Sequence, residues 1–367
     1  MSSPWLSGAL LTAGMNPIAA IGAYRRVYCV DPINGNDANA GTSWSAPFLT
    51  AQQAVTQFIE DKHNDYTGSA LAPTAEIYGM NGLILLGAGD YAPPDNVTPI
   101  IEIPTWTADG ATTGGGWGLT IMGVSWNGRA LLEGGATNTV PLILAAGAHG
   151  VRILNLHFHR QLKTAGIPDI LLTDGDEGIL YPGGAAAHHP NYFQIAGCHF
   201  LEDMIADGES SEMAIHIKSG QHGIINGNYF YSRSSPGANP ARGIVLQNDN
   251  GNPGRIVIAY NEFEALEDCA IRYLAAASIQ GLNIYNNIFR KNGSTIAGPA
   301  FAMANAIDIP NGKAAEYQPI INDNRFMTWA ALDNAAATDA IYDAQGAAVV
   351  DAGTDYYGND NTNLLSS

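Results

Sequence analysis

Positive charge is what this chain has least of. Sixteen Lys and Arg stand against 34 Asp and Glu in 367 residues, a net charge of −18. A nucleic-acid binder neutralises phosphates with basic side chains, so that class is excluded. The same field repels anionic polymers such as uronic-acid polysaccharides unless a cation intervenes. Charged residues amount to 14% and apolar ones to 46%, which excludes a disordered, highly solvated chain. Cysteine is scarce too. Cys29, Cys198 and Cys269 are widely spaced and odd in number, which argues against a disulfide framework or a zinc site and for small buried residues.

Long hydrophobic runs are also lacking. Residues 1–24, MSSPWLSGALLTAGMNPIAAIGAY, contain no charged side chain, but Asn16-Pro17 interrupts the apolar stretch. A secretory signal has a basic n-region and an unbroken apolar core, and a membrane span needs about 20 consecutive apolar residues. Neither description fits. The segment is expected to be an apolar arm that docks on its own fold or on a neighbouring subunit.

What the chain does hold is glycine, 42 residues, with Asn, Ile and aromatics in short blocks. That balance predicts many short strands joined by turns. The blocks repeat: IMGVSW at 121, ILNLHF at 153, IAGCHF at 195, INGNYF at 225, IAYNEF at 258, IYNNIF at 284 and INDNRF at 321. The common pattern is apolar-x-x-Asn-x-aromatic. The Ile and the aromatic are expected to point inward from two short strands, with the Asn at the bend between them. Asn228, Asn261, Asn287 and Asn324 would then form a side-chain ladder, a partial one, since earlier coils carry Cys198, Leu156 and Val124 there.

A further strand precedes each later rung: AIHI at 214, GIVL at 243, AIRY at 270 and AIDI at 306. Alternation places Ile215, Ile244, Ile271 and Ile307 inside and His216, Val245, Arg272 and Asp308 outside. Unequal spacing between rungs suits a solenoid with loops of varying length. A sandwich would show hairpin signals instead. The fold class read from this is all-β, a right-handed parallel β-helix. The helix expected in FLTAQQAVTQFIEDKHND, with Thr50 and Gln53 as a capping box, would cover its open N-terminal end. The expected division is 1–24 arm, 25–80 strand, Asx/Gly-rich loop and capping helix, 81–350 β-helix, and 351–367 tail.

VYCVDPINGNDANAGTSWSAPFLTAQQAV (27–55), followed by LILLGAGDY, resembles the opening of many proteins of the pectate-lyase-like β-helix superfamily. That superfamily includes lyases, hydrolases, phage tailspikes and inactive structural members, so the likeness implies a fold and leaves function to the site. EMAIHIKSGQHGIINGNYFYS (212–232) is similar to a region of the alginate-lyase and chondroitinase family. That resemblance implies Lys218 as the base that takes a proton beside a uronate carboxylate, with Glu212 and His216 alongside. It also implies a calcium ion near Glu209 and Glu212 that neutralises the carboxylate. The family's arginine one coil further on is Gln247 here, and the glutamate-to-lysine spacing is one residue longer.

Other chemistry is readable from the residues alone. Asp31, Asn34, Asn36, Asp37 and Asn39 offer oxygens for calcium or, as tight turns require, for the backbone. Glycoside hydrolysis needs two carboxylates about 5–9.5 Å apart; acidic clusters occur in LTDGDEG, LEDMIADGESSE and NEFEALED. His157, His199 and Tyr229 take the same place in consecutive rungs, a row able to hold a sugar or a protein, as are Gln247 and Arg272 on the neighbouring strands.

With neither catalytic constellation complete, the expectation is a structural or adhesive virion protein of a bacteriophage, tailspike-like or capsid-decorating. It would be a homotrimer joined to other virion proteins through the arm and able to bind surface polysaccharide. The alternative is a polysaccharide lyase or glycoside hydrolase, and secretion is the alternative to the virion.

Overall fold

The computed structural model describes residues 24–66, 81–104, 118–124, 129–134, 139–160, 167–174, 180–181, 184–185, 189–202, 213–232, 242–247, 253–264, 266, 269–274, 281–290, 305–309, 319–327, 341–343 and 360–362. Their strands form three long parallel sheets of nine, nine and eight strands. One coil contributes a strand to each: Arg152–Leu154 to the first sheet, His157–Arg160 to the second and Pro168–Thr173 to the third. The next coil repeats this with Gln194–Ala196, His199–Glu202 and Met213–Ile217. The chain is a right-handed parallel β-helix, as its repeats predict.

Stacking in register makes each interior position a column. In the first sheet Ile153, Ile195, Ile225, Ile258, Ile284 and Ile321 pair in sequence, all buried. In the second, Phe158, Phe200, Phe230, Phe263, Phe289 and Phe326 form a continuous ring stack. Their centroids lie 4.6–5.1 Å apart and their planes agree within 9°. Each buried ring contributes roughly 1.5–3 kcal/mol of apolar burial. The third sheet stacks Ile170, Ile215, Ile244, Ile271, Ile307 and Ile341.

The corner between the first two sheets explains the Asn signature. The residue before each Asn takes positive φ, for example Gly227 at 65°, Tyr260 at 57° and Asn286 at 53°, and the Asn side chain then turns along the solenoid. The amide oxygen of Asn261 accepts from the backbone N of Asn228 at 3.0 Å and from its Nδ2 at 2.9 Å. Asn287 does the same for Asn261, and Asn324 for Asn287. The ladder ends at Cys198, whose backbone N still donates to Asn228 at 2.9 Å but whose buried thiol has no amide to extend it. Burial raises that thiol to about 12, leaving it an inert core residue.

The first rung departs from the expected alignment. Ile121 does pair with Ile153, but the residue in register with Phe158 is Leu132, not Trp126. Extra residues at this corner, 125–128 among them, lie outside the described residues. A six-residue pattern cannot reveal an insertion inside itself, so IMGVSW matched only in its first half.

Helix α1, Ala51–Tyr66, packs on strands Arg26–Val30, Gly82–Leu86 and Ile101–Ile103 and adds Ala54, Val55, Phe58 and Ile59 to the core. Thr50 Oγ1 caps it by accepting from Gln53 N at 3.2 Å. The reciprocal bond of a capping box belongs to Asp37, whose carboxylate accepts from Thr50 N and Thr50 Oγ1 at 2.9 Å each. Strand Arg26–Val30 already pairs with Gly82–Leu86 in the first sheet, and Asp360–Thr362 pairs with Arg325–Met327. Sheet pairing therefore reaches into both flanking segments.

Candidate functional site

In a strand whose middle residue points inward, the residues on either side point outward. The second sheet applies this rule to each Phe of the stack. One outer row runs His157, His199, Tyr229, Glu262, Ile288 and Arg325; the other runs Glu133, His159, Leu201, Tyr231, Glu264 and Arg290. The His157, His199 and Tyr229 row expected from the sequence is therefore real. The second row was missed, although its signal is plain: it is the residue after each inward aromatic.

These side chains engage one another. The His157 and His199 rings sit 4.5 Å apart, and Tyr229 meets His199 edge-on at 5.8 Å. Tyr229 stacks on Tyr231 at 6.3 Å and donates its hydroxyl hydrogen to Glu264 Oε2 at 3.0 Å. Arg290 Nε donates to Glu262 Oε1 at 2.7 Å, and His159 Nδ1 lies 3.5 Å from Glu133. Although it points outward, His157 is only 8% exposed. Burial, then His199 and Arg129, push it down to about 3. His199 is lowered by burial and Arg129. Both rings are uncharged at neutral pH. Burial, and next the Glu264 carboxylate, hold the Tyr229 phenol above its usual range, so it stays protonated as a donor.

The remaining candidates lie elsewhere. His216, Arg272 and Asp308 share an outer row of the third sheet with Val245. They were expected to face water. Instead His216 is 5%, Val245 1% and Asp308 6% exposed; alternation along a strand gives a side chain's direction and not its exposure. His216 Nε2 meets Gln247 Oε1 at 2.9 Å, and Arg272 Nε lies 3.3 Å from Asp308 Oδ2. Lys218 and Gln247 each stand one residue past paired strand ends, Ile217 and Leu246. The Gln247 amide is engaged by His216. Lys218 is half-buried. Glu209 and Glu212 lie outside the described residues.

In the Asx-rich loop the oxygens serve the backbone. Asp31 Oδ1 accepts from Ile33 N at 2.9 Å and Asn34 N at 3.0 Å, bonds that lower its pKa against a desolvation that raises it. Asn36 Oδ1 accepts from Ala38 N, and Asp37 holds the helix start. These are turn and cap geometries. Of the acidic clusters, Asp174 sits 2.7 Å from His189, and Glu262 and Glu264 belong to the second-sheet face. Among the described residues no three potential ligands converge as a metal site requires, and no helix is long and apolar enough to cross a membrane.

No protein-family model and no curated protein matches the chain. Among solved structures the fold is similar to a rhamnogalacturonan lyase, at 13% identity over 82% of this chain and 67% of that one, with a TM-score of 0.44. It is also similar to a GH136 lacto-N-biosidase from Eubacterium ramulus, at 10% identity, 92% and 67% coverage and a TM-score of 0.33. The Dettilon tailspike protein follows at 12% identity, 87% and 68% coverage and a TM-score of 0.29. The likeness is one of fold.

Proposed function

We propose that this protein is an adhesive β-helix of a bacteriophage particle, tailspike-like or capsid-decorating, that holds a neutral polysaccharide along the outer face of its second sheet. The observation that carries this reading is the double row around His199, Tyr229, Tyr231 and Glu264. Coils repeat about every 4.8 Å, so a linear polymer lying along the axis meets one side chain of each row per coil. Tyr and His rings offer apolar faces to sugar C–H groups, and the carboxylates and Arg290 offer hydrogen bonds to hydroxyls. With His157 and His199 uncharged and Arg290 tied to Glu262, the middle of this face offers an anion little attraction, the other arginines, Arg129 and Arg325, lying toward its two ends. The −18 chain repels it further. The charge-free segment 1–24 is the feature that supports the particle role and a homotrimer anchored through it.

The test is retention on a panel of neutral and acidic polysaccharides, with molar mass measured by light scattering. Neutral polymers should be retained, Tyr229→Ala should weaken retention about tenfold, and the mass should be that of three chains. Retention unaffected by Tyr229→Ala would overturn the assignment of this face. A hydrolase reading has one observation in its favour: Glu262 and Glu264 face outward from one strand, the second accepting a hydrogen bond from the Tyr229 hydroxyl. Steady release of reducing ends, abolished in Glu264→Gln, would establish it over simple adhesion.

A further inference from the structure

The corner between the third and first sheets repeats a left-handed backbone residue in every described coil from Gly118 to Gly281. The residues are Gly118 (φ 74°), Gly150 (69°), Tyr192 (60°), His222 (59°), Arg255 (52°) and Gly281 (66°). They stack in register: Gly118 N donates to His149 O, Gly150 N to Asn191 O, Tyr192 N to Gln221 O and His222 N to Gly254 O, at 2.8–3.1 Å. Glycine adopts this conformation without steric cost, whereas Tyr, His and Arg do not. The outer coils use glycine here, so the corner itself does not require a side chain. The three middle coils accept the strain and present three flat groups.

Those groups are arranged as a stack. The Tyr192 and His222 rings lie 4.9 Å apart with planes within 12°, and Arg255 Nη1 donates to His222 Nε2 at 3.2 Å. Tyr192 is nevertheless 62% exposed. One face of its ring is covered by His222. Beyond the other face the row continues as Gly150 and Gly118, which have no side chains, so among the described residues this row leaves the next position of the stack open; a Cβ at Gly150 would meet nothing nearer than the Gly118 backbone at 3.6 Å. Strain kept at a solvent-facing corner, in register, with an open aromatic face, points to a ligand rather than to the fold.

We propose that Tyr192, backed by His222 and Arg255, is a stacking shelf for one pyranose ring of a neutral glycan, seated over Gly150. A β-linked glucose or N-acetylglucosamine unit has equatorial substituents and an apolar C–H face that fits a flat ring at this spacing. The shelf lies on a different corner from the second-sheet rows. It rests on the polysaccharide reading and adds a second, separate contact to it.

Cellohexaose and chitohexaose, titrated by saturation-transfer difference NMR against the full chain, test this. Wild type should bind at least one of them, and Tyr192→Gly should bind about fivefold to tenfold more weakly with a thermal midpoint unchanged or raised. Gly150→Asn places a residue tolerant of positive φ in the vacant position. It should weaken binding similarly while Tyr192 is intact. If only Tyr229→Ala weakens binding, the shelf is wrong and the second-sheet reading stands. A lowered midpoint in Tyr192→Gly would mean that the stack holds the coils together, which also sinks the shelf. Failure of wild type to bind either hexaose overturns the shelf, and the polysaccharide reading falls with it only if the wider panel is also negative.

Discussion

Along the interior of the second sheet six coils in succession present phenylalanine; along its outer face the same six present His157, His199, Tyr229, Glu262, Ile288 and Arg325. The backbone and spacing are the same, and only the surroundings differ. Inside, each side chain must fit its own copies above and below at close-packed density, so one flat ring repeats. Outside, water or a ligand fills whatever a side chain leaves, so residues are free to differ. Uniformity therefore marks what holds this molecule together, and variety marks where binding can be built. Breaking the uniform side should cost most. Phe230→Ala opens a gap between Phe200 and Phe263 that neighbouring coils cannot close, and should destabilise by about 3–5 kcal/mol, measured by urea unfolding.

The same contrast explains what could be read from sequence. The interior repeats, so the β-helix, the Ile columns and the Asn ladder stand out in the pattern. Leu132 replaced Trp126 in the first rung because only three-dimensional pairing shows an insertion at a corner. The third-sheet row of His216, Arg272 and Asp308 was read as solvent-facing because alternation gives a side chain's direction and not what covers it. The second-sheet face was half visible: its first row followed from the rung motif, while Tyr231, Glu264 and Arg290 carry no shared residue type to draw attention. Tyr192, His222 and Arg255 were invisible, since nothing in sequence says that a residue has positive φ.

Lys62 is a buried cation and sharpens the rule. Helix α1 buries it to 1% exposure with Nζ 5.5 Å from the Phe58 ring centre, and desolvation lowers it to about 7. The unfolded side chain keeps its proton to about 10.4. Between these values the unfolded state binds more protons, so stability rises with pH, and the penalty is fully present below 7. Lys62→Met should therefore raise stability at pH 7 by about 1–3 kcal/mol, with the advantage shrinking toward pH 10. A loss of stability instead would show that the contacts of the ammonium outweigh its desolvation.

His157 tests whether the outer face is as dry as its burial indicates. An unfolded imidazole takes its proton near 6.5, but the folded one only near 3. Between those values the unfolded state again binds more protons, so stability falls as pH drops through this window. From pH 7 to pH 5 the loss assigned to this ring should be about 1–2 kcal/mol, and His157→Phe should remove it. An unchanged pH slope in that variant would place the ring in water.

The smallest effects should come from the corners, where the outer surface needs the least from its residues. Tyr260 (φ 57°) and Asn286 (φ 53°) occupy the same position on adjacent coils, and both are exposed. Asparagine tolerates this conformation, so Asn286→Gly should shift stability by less than about 0.5 kcal/mol. Tyrosine does not, and Tyr260→Gly relieves roughly 1–2 kcal/mol of strain. It also gives up an edge contact with Tyr285 at 5.9 Å, worth about 0.5–1.5 kcal/mol. The two terms nearly cancel, leaving a net gain below about 1 kcal/mol that differential scanning calorimetry on both variants can resolve. A clear loss in Tyr260→Gly would mean that the ring contact outweighs backbone strain, and stacked rings at a corner could then be fold elements in their own right.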